Sequence, residues 1–333
     1  ALLEGASWWD QAFESIGYKN AFQVKMLPAD ADPMDLRYNM IQWVHRSTRG
    51  WSYGASVVDP RTGEILKGHV SLGSLRIRQD FMIAQALMDK PFEGDDANHG
   101  KMLDMALARI RQLSAHEIGH TIGFAHNFAA SVNDRASVMD YPHPQFKLKN
   151  GSIDMTDAYD SGIGEWDKVT VKYSYADIPE NISERAFLNS VISEATAKGL
   201  QFITDSDARA SGGAHINAHL WDNGKSAVEE LQDILKVRKV AIENFSEENI
   251  RSNEPFSVLE DVFVTLYFLH RYQTEAAVKL IAGLDYNYAV KGGNEEIFKV
   301  AERKLQEQAL EAVLKTLSAE ELAIPKEKLK LFP

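Results

Sequence analysis

His116-Glu117-Ile118-Gly119-His120-Thr121-Ile122-Gly123-Phe124-Ala125-His126 reads HEIGHTIGFAH and fits H-E-x-x-H-x-x-G-x-x-H. Histidines four residues apart stand one above the other on one helix face, so both imidazoles can reach a single metal ion. Glu117 lies one residue along, where its carboxylate reaches a water on that metal rather than the metal itself. Gly123 lets the chain leave the helix through a left-handed turn. His126, just past that turn, can swing back as a third ligand. Three neutral nitrogens with one open position suit a catalytic zinc rather than a structural one. With five positions fixed, a chance match in a chain of this size is on the order of 1 in 10,000 or rarer. That outweighs the alternative of a helix that merely carries solvated His and Glu.

A second stretch, Ser137-Val138-Met139-Asp140-Tyr141-Pro142, follows His126 closely. Together the two motifs resemble those of the metzincin metalloproteases, which pair the long zinc string with a methionine turn beneath the metal. The resemblance implies that Met139 forms an apolar floor under the imidazoles. It also implies that Tyr141, two residues on, assists transition-state stabilisation as a tyrosine does in the astacin and serralysin branches. In Ile163 to Tyr175, IGEWDKVTVKYSY, Asp167 and Tyr173 match a family helix with an Asp near its start. Asp167 is then a helix-start carboxylate or a support beneath the methionine turn.

The chain has 333 residues, 44% of them hydrophobic, and a net charge of −12. The acidic balance speaks against a nucleic-acid partner, which needs a basic surface. No apolar run approaches the roughly 20 residues of a membrane span. The absence of cysteine excludes thiolate ligands, disulfides and a cysteine nucleophile. The chain begins at Ala1, almost directly in a helix, and is read as part of a longer protein with an upstream region.

Leu2 to Ile16 has helical apolar spacing and stops at Gly17. Ala21 to Leu27 and Tyr38 to His45 read as strands. Gly54 to Val58 and Glu64 to Leu75 read as a hairpin joined by Asp59-Pro60-Arg61-Thr62-Gly63. Gln79 to Leu87 and Lys101 to Gly123 read as helices, the second with a buried stripe of Leu103, Ala106, Leu107, Ile110 and Leu113. The expected fold is α+β. A metzincin-like catalytic domain over 1–176 has a twisted mixed sheet packed on the zinc helix, with its first strand missing upstream. A mainly α-helical domain follows over 177–333. The resemblance makes the last strand before the zinc helix the edge that borders the substrate cleft, here His69-Val70-Ser71-Leu72-Gly73-Ser74.

Beyond residue 177, Ile182 to Lys198, Lys225 to Phe245, Pro255 to Ile281 and Asn294 to Leu317 read as helices, and Ser318 with Glu321 as a capping box. The polar connection Thr204 to Gly224 is read as a recognition loop reaching toward the cleft. It holds a second histidine pair, His215 and His219, also four apart but with no Glu between them, which is not read as a metal site.

The stretches WWDQAFESIGYKNAF, GSLRIRQ, SAHEIGHTIGFAHN, SVMDYP and IGEWDKVTVKY together resemble a group of large bacterial metzincin-type metalloproteases, often exported. The resemblance implies a Zn2+-dependent peptidase acting on polypeptide, extracellular or periplasmic, with Glu117 as general base. A zinc amidohydrolase acting on a non-polypeptide amide such as a cell-wall peptide stays open, as does a non-catalytic module that keeps zinc for stability.

Overall fold

The apolar spacing of the first sixteen residues folds as two short helices, α1 (Leu2–Ser7) and α2 (Trp9–Glu14). They run on through a helical Trp8 and stop where Gly17 takes a φ of 95°. The structure is a computed structural model that describes residues 1–48, 50–94, 99–210, 212–293 and 296–333. The fold is mixed α+β and forms two compact units. One comprises Ala1–Ile77, Ala108–Asp140 and Asp160–Thr204, and the other Arg78–Leu107, Tyr141–Tyr159 and Asp205–Pro333. Neither unit is continuous in sequence, so compactness does not divide the chain at a single point such as 176.

In the first unit, β1 (Met40–Val44), β2 (Tyr53–Val58) and β3 (Ile65–Gly73) form a mixed sheet in the order β1-β3-β2. β1 runs parallel to β3, and β2 antiparallel. The β2–β3 hairpin closes as the Pro/Gly turn requires. Asp59 N–H donates to the Glu64 carbonyl at 2.9 Å, and Gly63 takes a φ of 80°. Two helices follow, α3 (Leu75–Leu87) and α4 (Gly100–Thr121), and the borders of the units fall within both. The core gathers Trp9 and Phe13 of α2, Val70 and Leu72 of β3, Ile110, Leu113 and Ile118 of α4, and Met139. Leu72 is fully buried, worth roughly 1.5–3 kcal/mol. Trp9 is equally buried, and its indole N–H donates to the Ala115 carbonyl at 2.8 Å. A buried indole needs such a partner, and here it is the peptide just before His116. α5 (Glu165–Tyr175) adds Val171 to this core, and α6 (Glu184–Ala197), capped by Ser183, packs against α5.

The segment read as a strand over Ala21 to Leu27 is not one. Phe22 N–H donates to the Asp10 carboxylate at 3.3 Å instead of to a neighbouring strand. Phe22 and Val24 rest half-buried on the core. Residues 22–28 line a cavity of about 780 Å³ opposite Tyr38 to Ile41. Alternating apolar residues satisfied burial there without a ladder.

The second unit has a small hairpin, β4 (Lys147–Lys149) with β5 (Ser152–Asp154), and then α7 (Asp205–Ala208) and α8 (Ala227–Asn244). α8 buries Val228, Leu231, Leu235, Arg238 and Ile242 along one face. Against it pack α9 (Ser257–Tyr267), α10 (Arg271–Val278) and, after the short β6 (Leu284–Asp285) and β7 (Lys299–Val300), α11 (Arg303–Thr316). The single helix expected over Pro255 to Ile281 is therefore two. Buried Arg238 donates through Nε to the Tyr267 carbonyl at 2.9 Å, so a tertiary contact satisfies a carbonyl at the break. The helix expected from Asn294 begins only at Arg303, and residues 294–295 lie outside the described ones. Ser318 accepts from Glu321 N–H and starts α12 (Ala319–Leu322), with α13 (Lys326–Leu329) after it.

Candidate metal centre

The end of α4 is built by Gly123. Its N–H donates to the His120 carbonyl at 3.2 Å, and Phe124 N–H to the Gly119 carbonyl at 3.0 Å. This pair of bonds around a left-handed residue is the Schellman closure, and Gly123 has the φ it needs, 97°. The closure turns the Phe124 carbonyl back onto the helix, where it accepts from His120 Nδ1 at 2.9 Å. It also returns His126 to the helix, with its Nε2 3.1 Å from His120 Nε2.

His116 Nδ1 donates to the Val138 carbonyl at 2.8 Å. A carbonyl can only accept, so Nδ1 carries the hydrogen and Nε2 presents a lone pair. The same holds for His120. Burial, reinforced by the two neighbouring imidazoles, pushes the His116 pKa well below its ordinary value and keeps the ring neutral. One ligand atom from each of His116, His120 and His126 lies within 4.8 Å of the others, the one such group among the described residues. Three imidazole nitrogens, two of them on rings oriented by main-chain carbonyls, fit a zinc ion.

Glu117 is buried, and burial raises its pKa to about 7, opposed by the charge of Arg109 and by the Gly54 N–H. Gly54 belongs to β2, so that strand lies directly over the glutamate. The strand expected to line the cleft does not hold that place. His69, Val70 and Ser71 pair with both β1 and β2, Leu72 and Gly73 pair with β1, Gly73 N–H donates to the Ser52 hydroxyl at 3.2 Å, and Ser74 N–H donates to the Val44 carbonyl. β3 is the centre of the sheet and cannot take a further strand. β2 is an edge, and Tyr53 and Val57 are exposed on it.

Met139 is fully buried, and its side chain packs on the backbone of Gly119, between the two helical histidines. A Cβ at Gly119 would collide with the Met139 sulfur and come within 2.8 Å of the Trp9 ring. The turn around Met139 is held from both directions. Met139 C=O accepts from Asn127 N–H at 3.0 Å, next to His126. Asp167 accepts from the Ser137 hydroxyl at 2.6 Å, from Val138 N–H at 2.9 Å and from Gly164 N–H at 2.8 Å. It thus accepts from the start of α5 and from the turn around Met139 at once. Burial, against these three bonds, raises its pKa to about 6. Tyr173, by contrast, is exposed.

Tyr141 belongs to the second unit, where it stacks on Trp221 with ring centroids 5.1 Å apart and planes at 18°. Its carbonyl accepts from Trp221 N–H at 2.8 Å. Trp221 takes a φ of 63°, an uncommon conformation for a bulky residue. Trp221 belongs to the polar connection Thr204 to Gly224, which thus contacts Tyr141 within this unit.

Arg109 and Gln112 lie outside the histidine motif and also belong to the site. Both are buried, and Gln112 Nε2 donates to the Val138 carbonyl at 3.0 Å. Their spacing from His116, seven and four residues, is the signal that places them on the ligand face.

Residues 98–332 match a protein-family model described as Met-zincin. The match crosses residue 176. No curated protein and no solved structure matches the chain.

Proposed function

The chain belongs to the Met-zincin family and is a zinc metallopeptidase, and on that premise we propose that it is an endopeptidase with Glu117 as its general base. The observation that carries the reading is a buried carboxylate set between two converging histidines and beneath an edge strand. His116, His120 and His126 would hold the zinc ion, which when bound would supply Lewis acidity toward a peptide carbonyl and a water. Glu117 accepts the proton of the attacking water at its carboxylate and delivers it to the leaving amine nitrogen. A pKa near 7 suits a group that must both take and return a proton near neutrality. β2 replaces the strand His69 to Ser74 as the edge that receives an extended polypeptide, because an edge strand offers unpaired main-chain groups. Tyr141, two residues past Met139, is assigned the role of hydrogen-bond donor to the oxyanion on the resemblance of its position to that of the assisting tyrosine. An extracellular or periplasmic location rests on the resemblance to exported bacterial enzymes, and recovery of the protein in the cytosolic fraction would sink it.

Mass spectrometry of a peptide-library digest tests the reading. Internal cleavages that stop with a chelator and return with zinc are expected. Release of terminal residues alone, or cleavage of non-polypeptide amides only, would overturn the endopeptidase assignment.

A further inference from the structure

Both main-chain polar atoms of Val138 are held. Its N–H donates to Asp167, and its carbonyl accepts from His116 Nδ1 at 2.8 Å and from Gln112 Nε2 at 3.0 Å. Gln112 and His116 are four apart on α4, so both reach one oxygen from one helix face. Gln112 in turn takes a hydrogen bond on Oε1 from Arg109 Nη1. All three side chains, Arg109, Gln112 and His116, are buried.

The chemistry of this row has one solution. Arginine has donors only, so the Gln112 oxygen must face it and the amide NH2 must face Val138. The usual ambiguity of an amide's two ends is thereby removed. The Val138 oxygen then has both lone pairs engaged and cannot turn away from His116. A loose carbonyl would let the imidazole tilt or exchange tautomers, and either would move Nε2 off the common point of the three ligands.

We propose that Gln112 is a positioning residue of the metal centre, acting on His116 through the Val138 carbonyl and kept in register by Arg109. The inference rests on the reading of His116, His120 and His126 as zinc ligands and deepens it. It assigns part of the centre's precision to a residue outside the zinc motif.

Two variants of the full chain test it. Gln112→Met keeps length and volume and removes the donor. Gln112→Glu keeps the partner of Arg109 as an ion pair and likewise offers no hydrogen to Val138. Zinc affinity is read by chelator competition, and ligand geometry by the visible bands of the cobalt-substituted protein. Thermal unfolding of the metal-free forms shows that the variants are folded. Both variants are expected to bind zinc about 10- to 100-fold more weakly, with shifted cobalt bands. A folded variant whose zinc affinity stays within about twofold of the parent, with unchanged bands, overturns the positioning role and leaves the metal centre standing. A parent chain that takes up no stoichiometric zinc overturns the metal-centre reading itself, and the inference with it.

Discussion

Two histidine pairs in this chain share the same spacing and meet opposite ends. His116 and His120 lie on α4, each with Nδ1 on a main-chain carbonyl and Nε2 turned toward a third histidine. His215 and His219 lie in a polar connection. There His215 Nε2 bonds the Tyr286 carbonyl at 2.7 Å, and its Nδ1 accepts from Asn217 N–H at 3.1 Å. Both of its nitrogens are engaged. His219 Nε2 lies 3.3 Å from the Glu275 carboxylate. The difference teaches that four-residue spacing makes a ligand pair only when a helix aligns the rings and a carbonyl takes the nitrogen that the metal does not need.

Only the first pair has a glutamate between its members. Glu117→Ala should keep one zinc per chain and lose turnover by about 10²- to 10⁴-fold. Turnover near that of the parent would remove Glu117 from the reaction. Tyr141→Phe should lower kcat by up to about 10²-fold with less change in KM. A rise in KM alone would make Tyr141 a pocket residue.

Asp167 offers a test of how the first pair is held. Asp167→Asn, whose Oδ1 can keep the Val138 and Gly164 N–H bonds, removes the charge that strengthens them and the acceptor of the Ser137 hydroxyl, and should cost about 1–3 kcal/mol, read by denaturant unfolding. The sign of its pH dependence follows from the raised pKa. Between the ordinary carboxylate value of 3.8 and about 6, the folded state binds the extra proton. The stability this group contributes is therefore present in full below pH 3.8 and lost as pH rises through about 6. The parent's advantage over Asp167→Asn should narrow from pH 4 to pH 7, and a widening would contradict the burial argument. Gly119→Ala should cost about 1–3 kcal/mol through the Met139 and Trp9 contacts, measured as a fall in Tm. The smallest effect belongs to the second pair. His219→Ala should leave both zinc content and peptidase rate unchanged, whereas loss of bound metal would mean that this region holds a site of its own.

Much of the centre was legible because it is local. HEIGHTIGFAH fixes a helix, a Schellman closure and a returning histidine within eleven residues, all short-range physics. The β2–β3 turn was legible for the same reason, since Pro60 and Gly63 constrain φ directly. Strand order was not, because which strand flanks β3 is decided by pairing across distant sequence. That is why His69 to Ser74 looked like an edge and is a centre. Ala21 to Leu27 carried strand-like alternation but packed on the core without a ladder. The break after Tyr267 depends on Arg238, twenty-nine residues away, and the sequence around the break carries no glycine or proline to announce it. No motif marks Gln112, since burial of a polar residue on a helix follows only from what packs against it.

Zinc content of the purified chain, measured beside His116→Ala and His215→Ala, decides which histidine pair holds the metal. One zinc per chain is expected in the parent and in His215→Ala, with binding lost or weakened by orders of magnitude in His116→Ala. Equal zinc in all three, or loss in His215→Ala alone, would contradict the account.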